Sequence, residues 1–298
     1  MRPITHVLCP VDFSDSSRFA LRTAAIIAEH LGADLTVVTV DDPLLAQVAA
    51  QVTPSLTGAT ERELQRFATA AMTDVSAPPP ERTHLVVAVG QPAPLILQTA
   101  RDAGANLIVM SSQGRSDARK MFFGSTAERV LRDTALPVLI TRGDGAAGSA
   151  TTALDQSGPV VVPVDLGDGA PEHLGVASGV ATALAAPLVL MHVLEPVFVQ
   201  EAIALAFGLD EVRRRTARER LAEVAAAIPA TISVETLLAE GQPAEEIAKA
   251  ADDRQARLIV IGLRAADAPG SRLGSVTYRV LSLSRVTVLA LPPVRGAE

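Results

Sequence analysis

A chain of 298 residues is long for one compact core, and a prior of roughly 150 residues per domain suggests two. Its 48% hydrophobic and 20% charged residues exclude a disordered chain, and no apolar run approaches the roughly 18 residues of a membrane span. A net charge of −7 argues against a general nucleic-acid binder, which carries a basic balance.

The opening segment is broken by Pro10 and Asp12 too soon to form the apolar region of a signal peptide, and Cys9 lacks the upstream stretch of a lipidated cysteine. One cysteine makes no internal disulfide, which fits a reducing compartment, and Cys9 reads as a small core residue. Residues 6–11, HVLCPV, are strand-like. Ser14 or Asp15 caps the following helix, which sets Leu21, Ala24, Ala25, Ala28 and Leu31 on one face and stops at Gly32. LTVVTV then reads as a buried strand, Ala59 to Met72 as a helix, and HLVVAV as a third strand. A helix runs from Pro92 to about Gly104, followed by strand LIVM, a loop, a helix from Ser125 and strand PVLIT. Strands that alternate with helices and are apolar throughout predict an α/β fold with a mainly parallel sheet covered on both faces.

The second half repeats the first at an offset of about 150, in unchanged order. PVDFSD at Pro10 answers PVDLGD at Pro163, and VGQPAPLILQTA at Val89 answers EGQPAEEIAKAA at Glu240. NLIVMSS at Asn106 answers RLIVIGL at Arg257, and GSTAERVL at Gly124 answers GSVTYRVL at Gly274. The predicted domains are 1–142 and 159–294, joined by a small-residue linker over 143–158.

In doubly wound sheets ligands sit at the carboxyl ends of strands, so the strand-to-helix loops are the places to examine. Asp12 directly follows the first strand, where a carboxylate hydrogen-bonds a base or ribose, or equally caps a helix. The loop after the fourth strand, Ser111 to Thr126, turns at Gly114 and enters a helix at Gly124-Ser125. Glycines let backbone N–H groups approach phosphate oxygens, and a helix N-terminus favours an anion. Ser125 and Thr126 add hydroxyls, and Arg115, Arg119 and Lys120 offset charge; the same residues also describe an ordinary solvated helix entry. His6, His30, His84, His173 and His192 are dispersed, giving no metal-ligand cluster. His192, in a strand-like run, reads as a satisfied core histidine. Hydrolase Gly-x-Ser-x-Gly and P-loop motifs are absent.

The segment MSSQGRSDARKMFFGSTAERVL resembles the signature of the ATP-binding universal stress proteins, Gly-x-x-Gly, nine residues, then Gly-Ser or Gly-Thr. Gly114, Arg115 to Phe123 and Gly124-Ser125 fit it; Ser111 stands at the family's first glycine. The resemblance covers nearly the whole chain and implies two tandem Rossmann-like, adenine-nucleotide α-hydrolase-like domains. It implies that Asp12 and the backbone of Val11 and Val40 hold adenine. It places Met110, Ser111, Gly114, Arg115, Gly124, Ser125 and Thr126 around ribose and phosphates. In the second half it points to Asp165, Val193, Gly262, Gly274 and Ser275. There Ala265 replaces the middle glycine, and a loop one residue short contains Pro269. The implied ligand is ATP, with Mg2+ as its companion, in a cytoplasmic stress or regulatory binding module with at most slow hydrolysis. The alternative is a nucleotide-free scaffold, and an adenylating enzyme is a more distant one. The family's pairing through last strands implies an intrachain pseudo-dimer of PVLIT with VTVLAL, a homodimer beyond it, and a regulated protein partner.

Overall fold

The structure, a computed structural model, describes residues 3–43, 58–113, 123–142, 157–166, 173–196, 209–263 and 274–292. Gly114, Arg115, Arg119, Lys120, Ala265 and Pro269 lie outside them.

In the first half, strand β1 (His6–Pro10) leads through helix α1 (Asp15–Leu31) to β2 (Asp34–Asp41). Helix α2 (Ala59–Met72) precedes β3 (Thr83–Val89), and α3 (Pro92–Asp102) precedes β4 (Leu107–Ser111). Helix α4 (Ser125–Asp133) and β5 (Val138–Thr141) complete it. The strands pair in parallel in the order β3-β2-β1-β4-β5. That order is not contained in the strand and helix patterns. It puts β1 where the chain changes direction across the sheet, and the ends of β1 and β4 flank the resulting crevice.

The second half runs β6 (Val160–Pro163), α5 (Leu174–Ala183), β7 (Leu188–Leu194), α6 (Leu209–Ala226), β8 (Val234–Glu240), α7 (Pro243–Asp253), β9 (Leu258–Gly262), α8 (Ser275–Leu283) and β10 (Val288–Leu291). Its order, β8-β7-β6-β9-β10, is again parallel. The duplication extends to single hydrogen bonds. Val11 N donates to Val38 O and Val164 N to Met191 O, both at 2.8 Å. Likewise Ala33 N meets Ala28 O at 2.8 Å and Ala186 N meets Ala181 O at 2.9 Å.

Helix α1 buries Ala20, Leu21, Ala24, Ala25 and Ala28 fully, as the apolar spacing predicts. Leu31 is the exception, 45% exposed in the last turn; Ile27 and Thr23 are buried instead. Ser14 caps α1, its hydroxyl accepting from Ser17 N at 3.1 Å. Cys9 is fully buried in β1, and burial pushes its thiol up.

The halves differ in how helices stop. Gly32 (φ 64) and Gly104 (φ 65) turn the first half into the left-handed region, whereas Ala185 (φ 47) and Gln255 (φ 49) occupy the corresponding turns of the second. A side chain there costs about 1 kcal/mol. Ala185→Gly and Gln255→Gly are therefore each expected to stabilise the second half by about that much, read from urea unfolding. Gly32→Ala should do the reverse in the first half.

His6, at the start of β1, shares a 2.8 Å hydrogen bond with Thr36 Oγ1. Burial, its largest influence, holds the imidazole below its ordinary 6.5, against the opposing charge of Asp34. The unfolded chain thus binds the proton more readily. Stability of the first half is expected to fall as pH drops below 6.5 toward the lowered folded value, and to hold above it. Replacing His6 by Gln should flatten that slope in unfolding midpoints measured between those limits.

Candidate functional site

A cavity of about 260 Å3 opens at the carboxyl ends of β1, β2 and β4. It gathers Val11, Asp12, Val40, Met110, Ser111, Gly124, Ser125 and Thr126, residues drawn from four separate stretches of chain. Pro92 and Ile96, one turn apart on α3, form its apolar wall together with Val38. Their spacing of four on a helix that follows the third strand was the available sequence signal for this wall. Ser17, Ser112 and Gln113 also line it.

Asp12 has a local role as well as a lining one. Its Oδ1 accepts from Ser14 N at 3.1 Å and from the Ser14 hydroxyl at 2.5 Å, so it fixes the residue that caps α1. Between them Phe13 adopts φ 63, a left-handed conformation unusual for a bulky side chain. Its ring packs edge-on against Phe67 at 5.5 Å, which helps hold that turn.

The rim beside β4 is tied to the neighbouring strand and helix. Ser112 N donates to Thr141 O at 3.2 Å, and Ser112 O accepts from Gly124 N at 2.8 Å. Ser111 turns its hydroxyl to Gln113 O at 2.8 Å. Gly124 has an ordinary φ of −66, so space rather than dihedral freedom requires glycine: a Cβ would lie 3.2 Å from Ser112 O. Its N–H closes the loop and is not offered to a ligand. The first intrahelical bond of α4 is Glu128 N to Gly124 O at 2.9 Å. The backbone N–H groups of Ser125, Thr126 and Ala127 therefore precede the helical ladder, at the positive end of the helix dipole and on the cavity wall. Arg142, just beyond β5, has its Nε and one terminal nitrogen buried with no hydrogen-bond partner among the described residues. Burial pushes its guanidinium down to about 10.

The second-half candidates are arranged differently. Gly262 ends β9 with the imidazole of His173 against it, Nδ1 lying 3.2 Å from where a Cβ would stand. His173 Nε2 donates to Pro163 O at 3.1 Å, and His192 Nδ1 donates to Val164 O at 2.9 Å, the satisfied histidine that the sequence suggests. Asp165 is exposed, Val193 is half-buried on β7, and Gly274 precedes Ser275 at the start of α8. A cavity of about 240 Å3 in this half lies elsewhere, at the ends of β7 and β8 against α6. Its charges pair with one another: Arg214 forks onto Glu240 at 2.5 and 3.1 Å, and Arg213 stands 3.7 Å from Asp210 while donating to the backbone carbonyl of Glu195 at 2.7 Å. The Arg214 hydrogen bond holds the Glu240 carboxyl below the usual carboxylate range. Among the described residues no helix is long and apolar enough to cross a membrane, and no three His, Cys, Asp or Glu side chains gather as a metal site.

Fold and crevice define a duplicated, doubly wound parallel α/β protein with a ligand-type cavity at the first strand-order reversal. The universal stress protein family profile matches residues 3–142 and again 157–292, and the chain belongs to that family as a tandem member. A universal stress protein of Thermus aquaticus is 33% identical over 136 residues, 46% of this chain and 97% of that protein. Universal stress protein YxiE of Bacillus subtilis is 29% identical over 149 residues, with the same coverage of each. Among solved structures, protein PA1789 of Pseudomonas aeruginosa shares the fold over 97% of this chain and 93% of its own, at TM-score 0.66 and 18% identity.

Proposed function

We propose that the first half binds an adenine nucleotide, ATP with Mg2+, and that the protein is a nucleotide-responsive regulatory module of the cytoplasm. The observation that carries this reading is the junction of an apolar-walled cavity with an anion-favouring helix start. Val38, Val40, Pro92, Ile96 and Met110 offer a slot for a flat base, and the N–H groups of Ser125, Thr126 and Ala127 stand beside it. A base with an anionic tail matches both parts. The carboxylate of Asp12 and the strand-end backbone at Val11 supply polar groups on the base and ribose side. Ser111 does not oppose the reading, because its hydroxyl is engaged with Gln113 O. In this reading Mg2+ arrives on the triphosphate, and binding shifts a conformational equilibrium read by a protein partner, with no covalent chemistry. The oligomeric part of the proposal, an intrachain pseudo-dimer through the last strands, rests on the family resemblance alone.

The test is to denature freshly purified protein, identify released nucleotide, and titrate ATP into nucleotide-free protein. Adenine nucleotide in the supernatant and saturable binding are expected. No released nucleotide and no binding at millimolar ATP would replace this reading with that of a nucleotide-free scaffold.

A further inference from the structure

We infer that His173 closes the second half's crevice to nucleotides and so limits the chain to one bound nucleotide. The inference takes its ligand from the reading of the first half, but its geometry belongs to the second.

Matching hydrogen bonds place the halves in register. Val11 and Val164 each bridge back to the next strand, and Ala33 and Ala186 each close the helix after β1 or β6. Without insertion between these markers, His173 answers Ala20, which is fully buried and contributes only a methyl group. Helix α1 begins five residues before Ala20, whereas α5 begins only after His173. His173 is the N-cap of α5, and its carbonyl accepts from Ala177 N at 2.9 Å. The chain thus delivers an imidazole to a point where the first half has almost no side chain.

The ring spans the crevice. Nε2 donates to Pro163 O at the end of β6, and the opposite ring edge lies against Gly262 at the end of β9. Nδ1, Cε1 and Cγ are 3.2, 3.7 and 3.9 Å from where a Gly262 Cβ would stand. The first-half counterparts of these two neighbours are Pro10 and Ser111, and both line the 260 Å3 cavity. His173 therefore fills the counterpart of the space in which a nucleotide would sit. Gly262 is explained by the same contact: any side chain there would press on the ring. His192 takes the Val164 carbonyl, whose first-half counterpart is that of the cavity residue Val11. Two carbonyl acceptors at the end of β6 are thus held by the protein's own imidazoles.

The test counts ATP sites by calorimetry on the full chain. Wild type is expected to bind one ATP, and His173→Ala, which restores the residue type of Ala20, to bind two. In a Gly124→Asp background the counts should be none and one. His173→Ser serves as a second opening variant, with circular dichroism confirming the fold of each. Unchanged counts in both opening variants would overturn the inference, as would two sites in wild type. Hydrogen exchange of wild type adds a reading that needs no substitution: the amides of Val164 and Asp165 should keep their exchange rate on ATP addition, and protection there would also overturn it. Absence of any site in wild type would refute the nucleotide reading of the first half. The His173 variants would still decide the inference, one new site supporting it and none overturning it.

Discussion

Gly124→Asp is expected to lower the ATP affinity of the first half by at least about 100-fold, since like charges brought together at a desolvated site cost several kcal/mol. The substitution acts in two ways at one position. Its Cβ would lie 3.2 Å from Ser112 O, straining the hydrogen bond that closes the loop, and its carboxylate would stand beside the N–H groups of Ser125 and Thr126. Gly124→Ala separates the two effects. At φ −66 alanine suits the backbone, so only the crowding remains, and a loss of about 10-fold or less is expected, the equivalent of 1.4 kcal/mol. Titration of both variants measures the difference. Equal and undiminished affinities would remove α4 from the binding site.

Gly158→Ala is expected to cost the second half at least about 3 kcal/mol, in the range reserved for backbone conflict and strain. A Cβ at Gly158 would overlap the carbonyl oxygen of Gln255, and that oxygen has little room to retreat. Gln255 sits in a left-handed turn, with its N–H on Asp252 O at 3.0 Å, and Arg257 N bonds Pro159 O at 3.1 Å beside it. Moving the oxygen means shifting β9 against β6. The first half avoids the conflict, because its counterpart turn is Gly104 and the strand entry at Thr5 is held by Asn106 Oδ1 at 3.1 Å. Urea unfolding gives the magnitude. Hydrogen exchange gives the location: faster exchange is expected in β6 and β9, with β1 and β4 unchanged.

Much of this fold is legible in the sequence because its signals are local. The apolar runs of β1, β2 and β4, the Gly32 stop and the Pro92 helix start each depend on a few adjacent residues, and duplication states each signal twice. Strand order is not local, since it depends on which edges meet, and only the structure shows β1 between β2 and β4. The site divides in the same way. Asp12, Ser111 and Gly124-Ser125 are visible as loop residues after strands, whereas the Ile96 wall comes from a helix packing across the crevice. The donor role of Gly124 illustrates the limit. A glycine at a helix entry suggests a backbone N–H for phosphate, yet that N–H is given to Ser112 O, and the next three residues present theirs instead. His173 had no signal beyond its identity, because its partner is a backbone carbonyl on another element, and carbonyls carry no sequence signature.

The most direct test of the account is hydrogen exchange on the full chain with and without saturating ATP. Protection is predicted at Val11 and Asp12, at residues 111–113 and at residues 125–127, with the counterpart amides of the second half unchanged. Bound ATP that leaves those first-half amides unprotected, or protects residues 164–165 and 274–276 instead, would contradict it.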